Sequence, residues 1–239
     1  MTHERVLEYP TDRHERLHGP LGYADYKSFK PWLRDEFRFR CVYCLWREVW
    51  CADGDGSFGI DHVRSRASHP EQGSDYDNLV YACGRCNSIK QDIPLPVDPC
   101  EEGWGKHLQT IPDGTVRGIT ALGRKTIEIC RLNRPALVQA RRRMRQLLQE
   151  LDAGGTAESK SLLREYLSFP TNLPVLSQLH PPLEMRVQKG LPRATTNGES
   201  AVSCRRSTDH HPPGKNAPQL CLGFMICPLG PVSTAQAFP

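Results

Sequence analysis

The chain has 239 residues, ten cysteines and a formal net charge of +4 at pH 7, and its first residues lack the apolar run of a secretory signal peptide. Its longest apolar stretch, near residues 220–232, is too short and too often interrupted by proline to cross a bilayer, so no membrane partner is expected. We therefore expect a cytoplasmic protein with reduced cysteines rather than a secreted disulfide scaffold.

Composition divides the chain into four parts. Residues 1–24 mix His, Arg and Glu without periodicity and are predicted to form an N-terminal arm. The next two parts carry most of the aromatic residues and are predicted to be a compact core over 25–100 and a hairpin with a basic helical extension over 101–169. Residues 170–239 are rich in Pro, Ser, Thr and Gly and are predicted to be a disordered tail.

The predicted elements of the core are short. Apolar residues over 26–40 recur at helical spacing, which predicts a helix. The Gly-Asp-Gly stretch at 54–56 marks a turn before a short strand that ends at Asp61. Residues 77–83 lead into a second cysteine turn, and a short helix is predicted to open at 87–91 before prolines end it.

The predicted elements of the extension are more regular. Residues 104–119 centre on Pro-Asp-Gly and predict a β-hairpin. Residues 120–151 predict a long helical region that is broken or bent at Pro135, and 157–169 predict one more short helix. Positive charge is concentrated here, in Arg117, Arg124, Lys125, Arg131, Arg134, Arg141, Arg142, Arg143 and Arg145.

Two cysteine pairs are the strongest local motif. In Cys41-Val-Tyr-Cys44 and Cys83-Gly-Arg-Cys86 the two-residue spacing allows both thiolates of a pair to bind one tetrahedral ion. Four soft ligands select zinc, and a site filled by four cysteines is structural because it leaves no position for water or substrate. The alternative is that these are reduced core cysteines without an ion.

Any catalysis then has to come from residues between and beside the cysteine pairs. This part of the chain offers Asp61-His62, Asn78, Asn87 and Lys90. A pair of Asp and His residues alone is more often a structural hydrogen-bonded pair than a catalytic one, but here it stands in register with both cysteine motifs.

In this order of residues the chain resembles the HNH endonucleases of the ββα-metal superfamily. The segments FRFRCVYCLWRE, IDHVRSRASHP and DYDNLVYACGRCNSIKQD carry the resemblance, which covers residues 37–92 firmly. It implies an α+β fold with a small ββα-metal core that is stabilised by the four-cysteine zinc site and flanked by helices. The part over 25–100 is then the HNH nuclease core.

The resemblance also implies a role for each residue. His62 would be the general base for the attacking water, since its ordinary pKa leaves neutral imidazole available at physiological pH. Asp61 and Asn87 would hold a catalytic Mg²⁺ or Mn²⁺ ion through oxygen atoms. Asn78 would fix the loop that orients the base, and Lys90, one helical turn after Asn87, would approach the phosphate.

The sequence departs from the commonest family pattern in two places. The final motif position is Asn87 rather than histidine, although an amide oxygen also binds a hard cation. The loop over 62–78 lacks the paired glycines that are often found there, so its approach to the scissile phosphate is expected to differ.

The function predicted from the sequence is that of an HNH endonuclease that hydrolyses DNA phosphodiester bonds with one divalent cation, and the resemblance implies that cleavage leaves 5′-phosphate and 3′-hydroxyl ends. RNA stays open as the substrate, and nothing in the sequence indicates the oligomeric state. The predicted nucleic-acid contacts are Arg64, Arg66, Arg85, Arg141, Arg142, Arg143 and Arg145, although a run of charge is also typical of a solvated helix face. The first alternative is a catalytically inactive, zinc-stabilised module that binds nucleic acid. The second is a structural protein in which zinc only shapes an interaction surface.

Overall fold

The computed structural model describes residues 5–181, which have an α+β architecture. The helices are α1 (Lys30–Glu36), α2 (Gly84–Lys90), α3 (Ala121–Cys130), α4 (Pro135–Ala153) and α5 (Ala157–Leu167). The strands are β1 (Phe58–His62), β2 (Leu79–Cys83), β3 (Leu108–Thr110) and β4 (Val116–Gly118). No helix in the described part is long and apolar enough to cross a membrane, and the apolar stretch near 220–232 lies outside it.

β1, β2 and α2 form the predicted hairpin followed by a helix. The strands pair antiparallel, with Phe58 opposite Cys83 and His62 opposite Leu79. All of β2 is buried, which suits its run of apolar residues. α2 begins directly after β2 because the Cys83 sulfur accepts a hydrogen bond from the backbone N–H of Cys86 at 3.4 Å and so caps the helix.

The first cysteine turn follows α1. The helix predicted over 26–40 is a short 3₁₀ turn followed by α1, and it ends early because Arg38 and Phe39 take left-handed φ values of 53° and 55°. The chain then reverses at Leu45, whose backbone N–H donates to the Cys41 carbonyl at 2.9 Å. This reversal brings both cysteines of the first pair to one side of the turn.

The N-terminal segment packs against the core through a buried carboxylate. Glu36 accepts hydrogen bonds from the backbone N–H groups of Leu17 and His18, the ring of His14 and the hydroxyl of Tyr76. Burial alone raises the pKa of Glu36, but hydrogen bonds from His14, Leu17 and Tyr76 outweigh it, so the pKa lies below the ordinary 4.5. Val6 and Leu7 are also buried, so the predicted arm is an integral part of the packing.

The extension has the predicted hairpin and the predicted break. β3 and β4 pair antiparallel across a turn in which Gly114 has a φ of 91°, a value that glycine adopts at low cost. α3 and α4 are separated before Pro135, which occupies the first turn of α4, where its missing N–H is not needed.

The chain after α4 packs back onto the core. α5 ends at Leu167, and the guanidinium of buried Arg47 donates to the carbonyls of Tyr166 and Ser168 at 3.1 and 2.7 Å. Asn172 accepts a hydrogen bond from Arg34, so the first residues of the predicted tail contact the domain. The rest of that tail, residues 182–239, lies outside the described residues.

Candidate active site and metal centre

The four motif cysteines meet in one buried cluster. Their sulfur atoms all lie within 4.8 Å of one another, and those of Cys44 and Cys83 are 3.8 Å apart although 39 residues separate them in sequence. Tetrahedral zinc with Zn–S bonds of about 2.3 Å separates its sulfur ligands by about 3.8 Å. The cluster therefore has the ligands and the spacing of a structural zinc site, as the sequence predicted.

One cation from the extension lies against this cluster. The guanidinium of Arg134, at the start of α4, donates to the sulfur of Cys86 at 3.5 Å. Four thiolates around one Zn²⁺ carry a net charge of −2, so a neighbouring guanidinium offsets part of it. Sequence reasoning missed this contact because it joins residues 48 positions apart.

Asp61 is buried at the end of β1 with both carboxylate oxygens occupied. Oδ2 accepts a hydrogen bond from the hydroxyl of Tyr43 at 2.6 Å, and Oδ1 accepts one from the backbone N–H of His62 at 2.8 Å. The Lys90 ammonium lies 3.3 Å from each oxygen. Burial raises the pKa of Asp61, and the contacts from Lys90 and Tyr43 offset it only in part.

His62 is held by a backbone carbonyl. Its Nε2 lies 2.9 Å from the Gly73 oxygen, and a carbonyl oxygen only accepts, so Nε2 carries the proton and the lone pair lies on Nδ1. Burial lowers the pKa of His62, and the hydrogen bond to Gly73 opposes this shift without reversing it. The ring is therefore neutral at pH 7, with one nitrogen able to accept a proton.

Asn78 joins the two ends of the loop between β1 and β2. Its Oδ1 accepts from the backbone N–H of Arg64 at 2.8 Å, and its Nδ2 donates to the carbonyls of Arg64 and Gln72. Because Gly73, the partner of His62, directly follows Gln72, these bonds hold the segment that orients the imidazole.

Asn87 and Lys90 lie one turn apart on α2 and contact consecutive parts of β1. Asn87 donates from Nδ2 to the Ile60 carbonyl at 3.1 Å, and within residues 5–181 its amide oxygen accepts no hydrogen bond. Lys90 is 1% exposed, and its ammonium donates to the His62 and Gln91 carbonyls as well as to Asp61. The structure therefore corrects the predicted approach of Lys90 to phosphate, because this side chain points inward.

The comparison with family models matches residues 41–92 of the chain, which contain both cysteine pairs, β1, β2 and α2, to the HNH endonuclease model. We refer to this matched segment as the HNH domain. The comparison with curated proteins found no match. The family is one of nucleases that use divalent metals, so the match supports nuclease activity and a nucleic-acid substrate.

Three arginines predicted to contact nucleic acid lie on the surface of the HNH domain. Arg64 is exposed beside Glu101 and lines a cleft of about 480 Å³ together with Arg16 of the N-terminal segment. Arg66 is exposed and lies over the ring of Tyr26, 4.8 Å from its centroid. Arg85, in the first turn of α2, is also exposed.

The arginine run outside the HNH domain does not share one environment. Arg141 is 1% exposed, and its guanidinium donates to the carbonyl of Leu132 at 2.8 Å. The prediction that Arg141 contacts nucleic acid is therefore corrected. The reason is periodicity, because Arg141 follows buried Leu137 by four residues and so lies on the inner face of α4. The other predicted contacts in this run, Arg142, Arg143 and Arg145, are exposed or half-buried.

Two further contacts of the HNH domain could not be read from the motifs. Tyr43, between the first two cysteines, donates to Asp61, and Tyr26, outside the matched segment, lies against His62 with ring centroids 4.8 Å apart. Neither tyrosine has a spacing that distinguishes it from a core aromatic residue, so only the folded chain identifies them.

Proposed function

We propose that this protein is an HNH endonuclease that hydrolyses DNA with His62 as the general base. The observation that carries the proposal is the hydrogen bond from Nε2 of His62 to the Gly73 carbonyl. It holds the proton on one ring nitrogen and leaves the other with a lone pair for the attacking water. The match of the surrounding segment to a nuclease family supports the same conclusion.

Asp61 and Asn87 are the proposed ligands of the catalytic cation. A carboxylate and an amide oxygen from a strand and a helix fit a hard divalent ion, and the bond from Asn87 to Ile60 orients the amide with its oxygen away from β1. A hydrated Mg²⁺ or Mn²⁺ ion bound there would neutralise charge on the phosphate and the leaving oxygen.

Lys90 and Tyr43 are proposed to hold the Asp61 carboxylate. Because both oxygens of Asp61 already accept hydrogen bonds, a cation has to displace the Lys90 ammonium from at least one of them. The carbonyls of His62 and Gln91 remain as partners for the displaced ammonium. Asn78 is proposed to act indirectly, by holding the loop that carries Gly73.

Substrate binding is proposed to involve exposed and half-buried arginines of both parts of the chain. Arg64, Arg66 and Arg85 belong to the nuclease core over 25–100, and Arg142, Arg143 and Arg145 belong to the extension over 101–169. Guanidinium groups contact phosphates irrespective of base sequence, so these residues provide affinity rather than specificity. We propose DNA as the substrate, cleaved to 5′-phosphate and 3′-hydroxyl ends.

The test is cleavage of a supercoiled plasmid by the full chain with Mg²⁺, with Mn²⁺ or with no added divalent ion. His62→Ala should lower the rate by about 10²–10⁴-fold, the range for loss of a general base. His69→Ala is the matched control, because His69 lies in the same loop and pairs with Glu71 rather than with the site. A His62→Ala variant that cuts as fast as the control would refute the assignment.

The inactive nucleic-acid-binding module remains the second candidate. The full occupation of the Asp61 carboxylate by Lys90, Tyr43 and a backbone N–H is the observation that favours it. Binding of duplex DNA or of an RNA oligonucleotide by wild type, without any metal-dependent cleavage, would support this candidate over the nuclease.

A further inference from the structure

Tyr26 lies at the edge of the proposed catalytic site, in the short 3₁₀ turn that precedes α1. Its ring meets the imidazole of His62 edge to face, with centroids 4.8 Å apart and an interplanar angle of 66°. The guanidinium carbon of Arg66 lies over the same ring at 4.8 Å from the centroid. One aromatic ring therefore contacts both the proposed base and an exposed cation.

The contacts of Tyr26, Arg66, Gly73 and His62 form a closed cycle. Arg66 also packs against Gly73, where an added Cβ atom would lie 3.6 Å from Cδ of Arg66. Gly73 in turn accepts the hydrogen bond from Nε2 of His62. The aliphatic part of the Arg66 side chain thus contacts Gly73 and its guanidinium contacts Tyr26, and both Gly73 and Tyr26 contact His62.

The neighbouring bonds hold this cycle in place. Ser74, next to Gly73, donates its hydroxyl to the Ala24 carbonyl at 2.6 Å, which ties the loop to the segment that carries Tyr26. The backbone N–H of Lys27 donates to the Asp25 side chain and caps the turn. The contact between Tyr26 and His62 therefore joins two segments that the hydrogen bond from the Ser74 hydroxyl to the Ala24 carbonyl also links.

The charge of Arg66 is exposed, whereas that of Lys90 is buried against Asp61. A guanidinium stacked on an aromatic face keeps its N–H groups at the edge of the plane, where they can bind two phosphate oxygens. A general base that activates the water attacking a phosphodiester requires the phosphate nearby, and Arg66 is the exposed cation that the cycle holds beside His62.

We infer that Arg66 binds the scissile phosphate and that Tyr26 is a positioning residue that aligns this guanidinium with the His62 imidazole. The inference rests on the proposed nuclease function and adds to it a substrate contact and a residue outside the matched family segment. Tyr26 acts through its ring, so its hydroxyl is dispensable.

The experiment compares four variants of the full chain in the plasmid assay. Arg66→Gln should lower kcat/KM by about 100-fold, the scale for loss of one group that stabilises charge on the reacting centre. Tyr26→Ala should lower it by about ten-fold, whereas Tyr26→Phe, which keeps the ring, should stay within about two-fold of wild type. Lys27→Gln removes one exposed charge next to Tyr26 and should also stay within about two-fold.

A second measurement does not depend on cleavage. The affinity for a fluorescent DNA duplex is measured by anisotropy over a series of salt concentrations without added divalent ion. Loss of one phosphate contact in Arg66→Gln should reduce the slope of log affinity against log salt by about 0.9. Zinc content and thermal unfolding of each variant show whether the fold is retained.

The outcomes separate the two proposals. An unchanged salt slope in Arg66→Gln, or equal impairment of Tyr26→Phe and Tyr26→Ala, would overturn the inference. If wild type binds DNA but does not cleave it, the nuclease proposal fails, and the salt slope still decides whether Arg66 contacts phosphate.

Discussion

Removal of one zinc ligand should unfold the HNH domain rather than weaken it slightly. The proposed change is Cys86→Ser, at the first turn of α2. Apparent binding free energies of structural zinc sites are about 10–16 kcal/mol, which is comparable to the total stability of about 5–15 kcal/mol of a typical domain. Loss of most of this energy leaves too little to hold the ββα unit together.

The structure explains why nothing else can replace the ion. α2 has seven residues, well below the length at which an isolated helix is stable, and its N-terminal cap is the ligand Cys83. The first cysteine turn meets β2 through a backbone hydrogen bond from Val42 to the Tyr81 carbonyl at 2.9 Å. Without the ion, four buried thiols and this short helix cannot keep the turn and the helix together.

The assay is zinc content by mass spectrometry together with thermal unfolding followed by circular dichroism. Wild type should contain one zinc per chain, and Cys86→Ser should lose both the zinc and the cooperative transition. Cys130→Ala is the matched control, because Cys130 is equally buried but lies outside the cluster. It should keep its zinc and lose about 1 kcal/mol, or about 2–4 °C in a domain of this size. A Cys86→Ser variant that retains stoichiometric zinc and melts like the control would refute the reasoning.

Three further outcomes are expected. Lys90→Met should lower the free energy of unfolding in urea by about 3–5 kcal/mol, because it leaves the buried carboxylate of Asp61 without its cation. The pKa of Glu36 is lowered in the folded state, so its contribution to the free energy of unfolding is complete above pH 4.5 and is lost as the pH falls through the lower folded-state pKa. The free energy of unfolding should therefore decrease as the solution is acidified, and the decrease should be less steep in Glu36→Gln. Arg134→Gln should release zinc to a chelator about ten-fold faster, because Cys86 loses a charge-assisted hydrogen bond of about 1.5 kcal/mol.

Each of these outcomes has its control. Lys106→Met removes a lysine that is mostly exposed and should leave the free energy of unfolding nearly unchanged. Arg131→Gln removes an exposed arginine near Arg134 and should release zinc at the wild-type rate. If the free energy of unfolding depends on pH equally steeply in Glu36→Gln and wild type, the acid sensitivity does not come from Glu36.

Local patterns were sufficient to predict several parts of the fold. The cysteine pairs, the helix break before Pro135 and the hairpin around Gly114 are each determined by residues a few positions apart, and the structure confirms them. Ligand spacing, a fixed proline φ and a glycine turn act within one turn of chain, so the sequence alone carries this information.

The directions of single side chains could not be predicted in the same way. Arg141 and Lys90 carry charges that favour exposure, yet both are 1% exposed, because one follows the inner face of α4 and the other meets a buried carboxylate. The spacing of Arg141 from Leu137 was a readable signal, whereas nothing near Lys90 in sequence shows that Asp61 faces it.

The sequence by itself determined the four-cysteine cluster, and it predicted a carboxylate, an imidazole and two amides, in family order, as the groups of the proposed chemistry. Only the tertiary structure decided which atoms of these groups are free to react. Nε2 of His62 is occupied because Gly73 lies beside it, and Tyr26 reaches the same ring from a segment 36 positions earlier. Such contacts depend on the packing of distant segments, and packing is a property of the whole folded chain rather than of a motif.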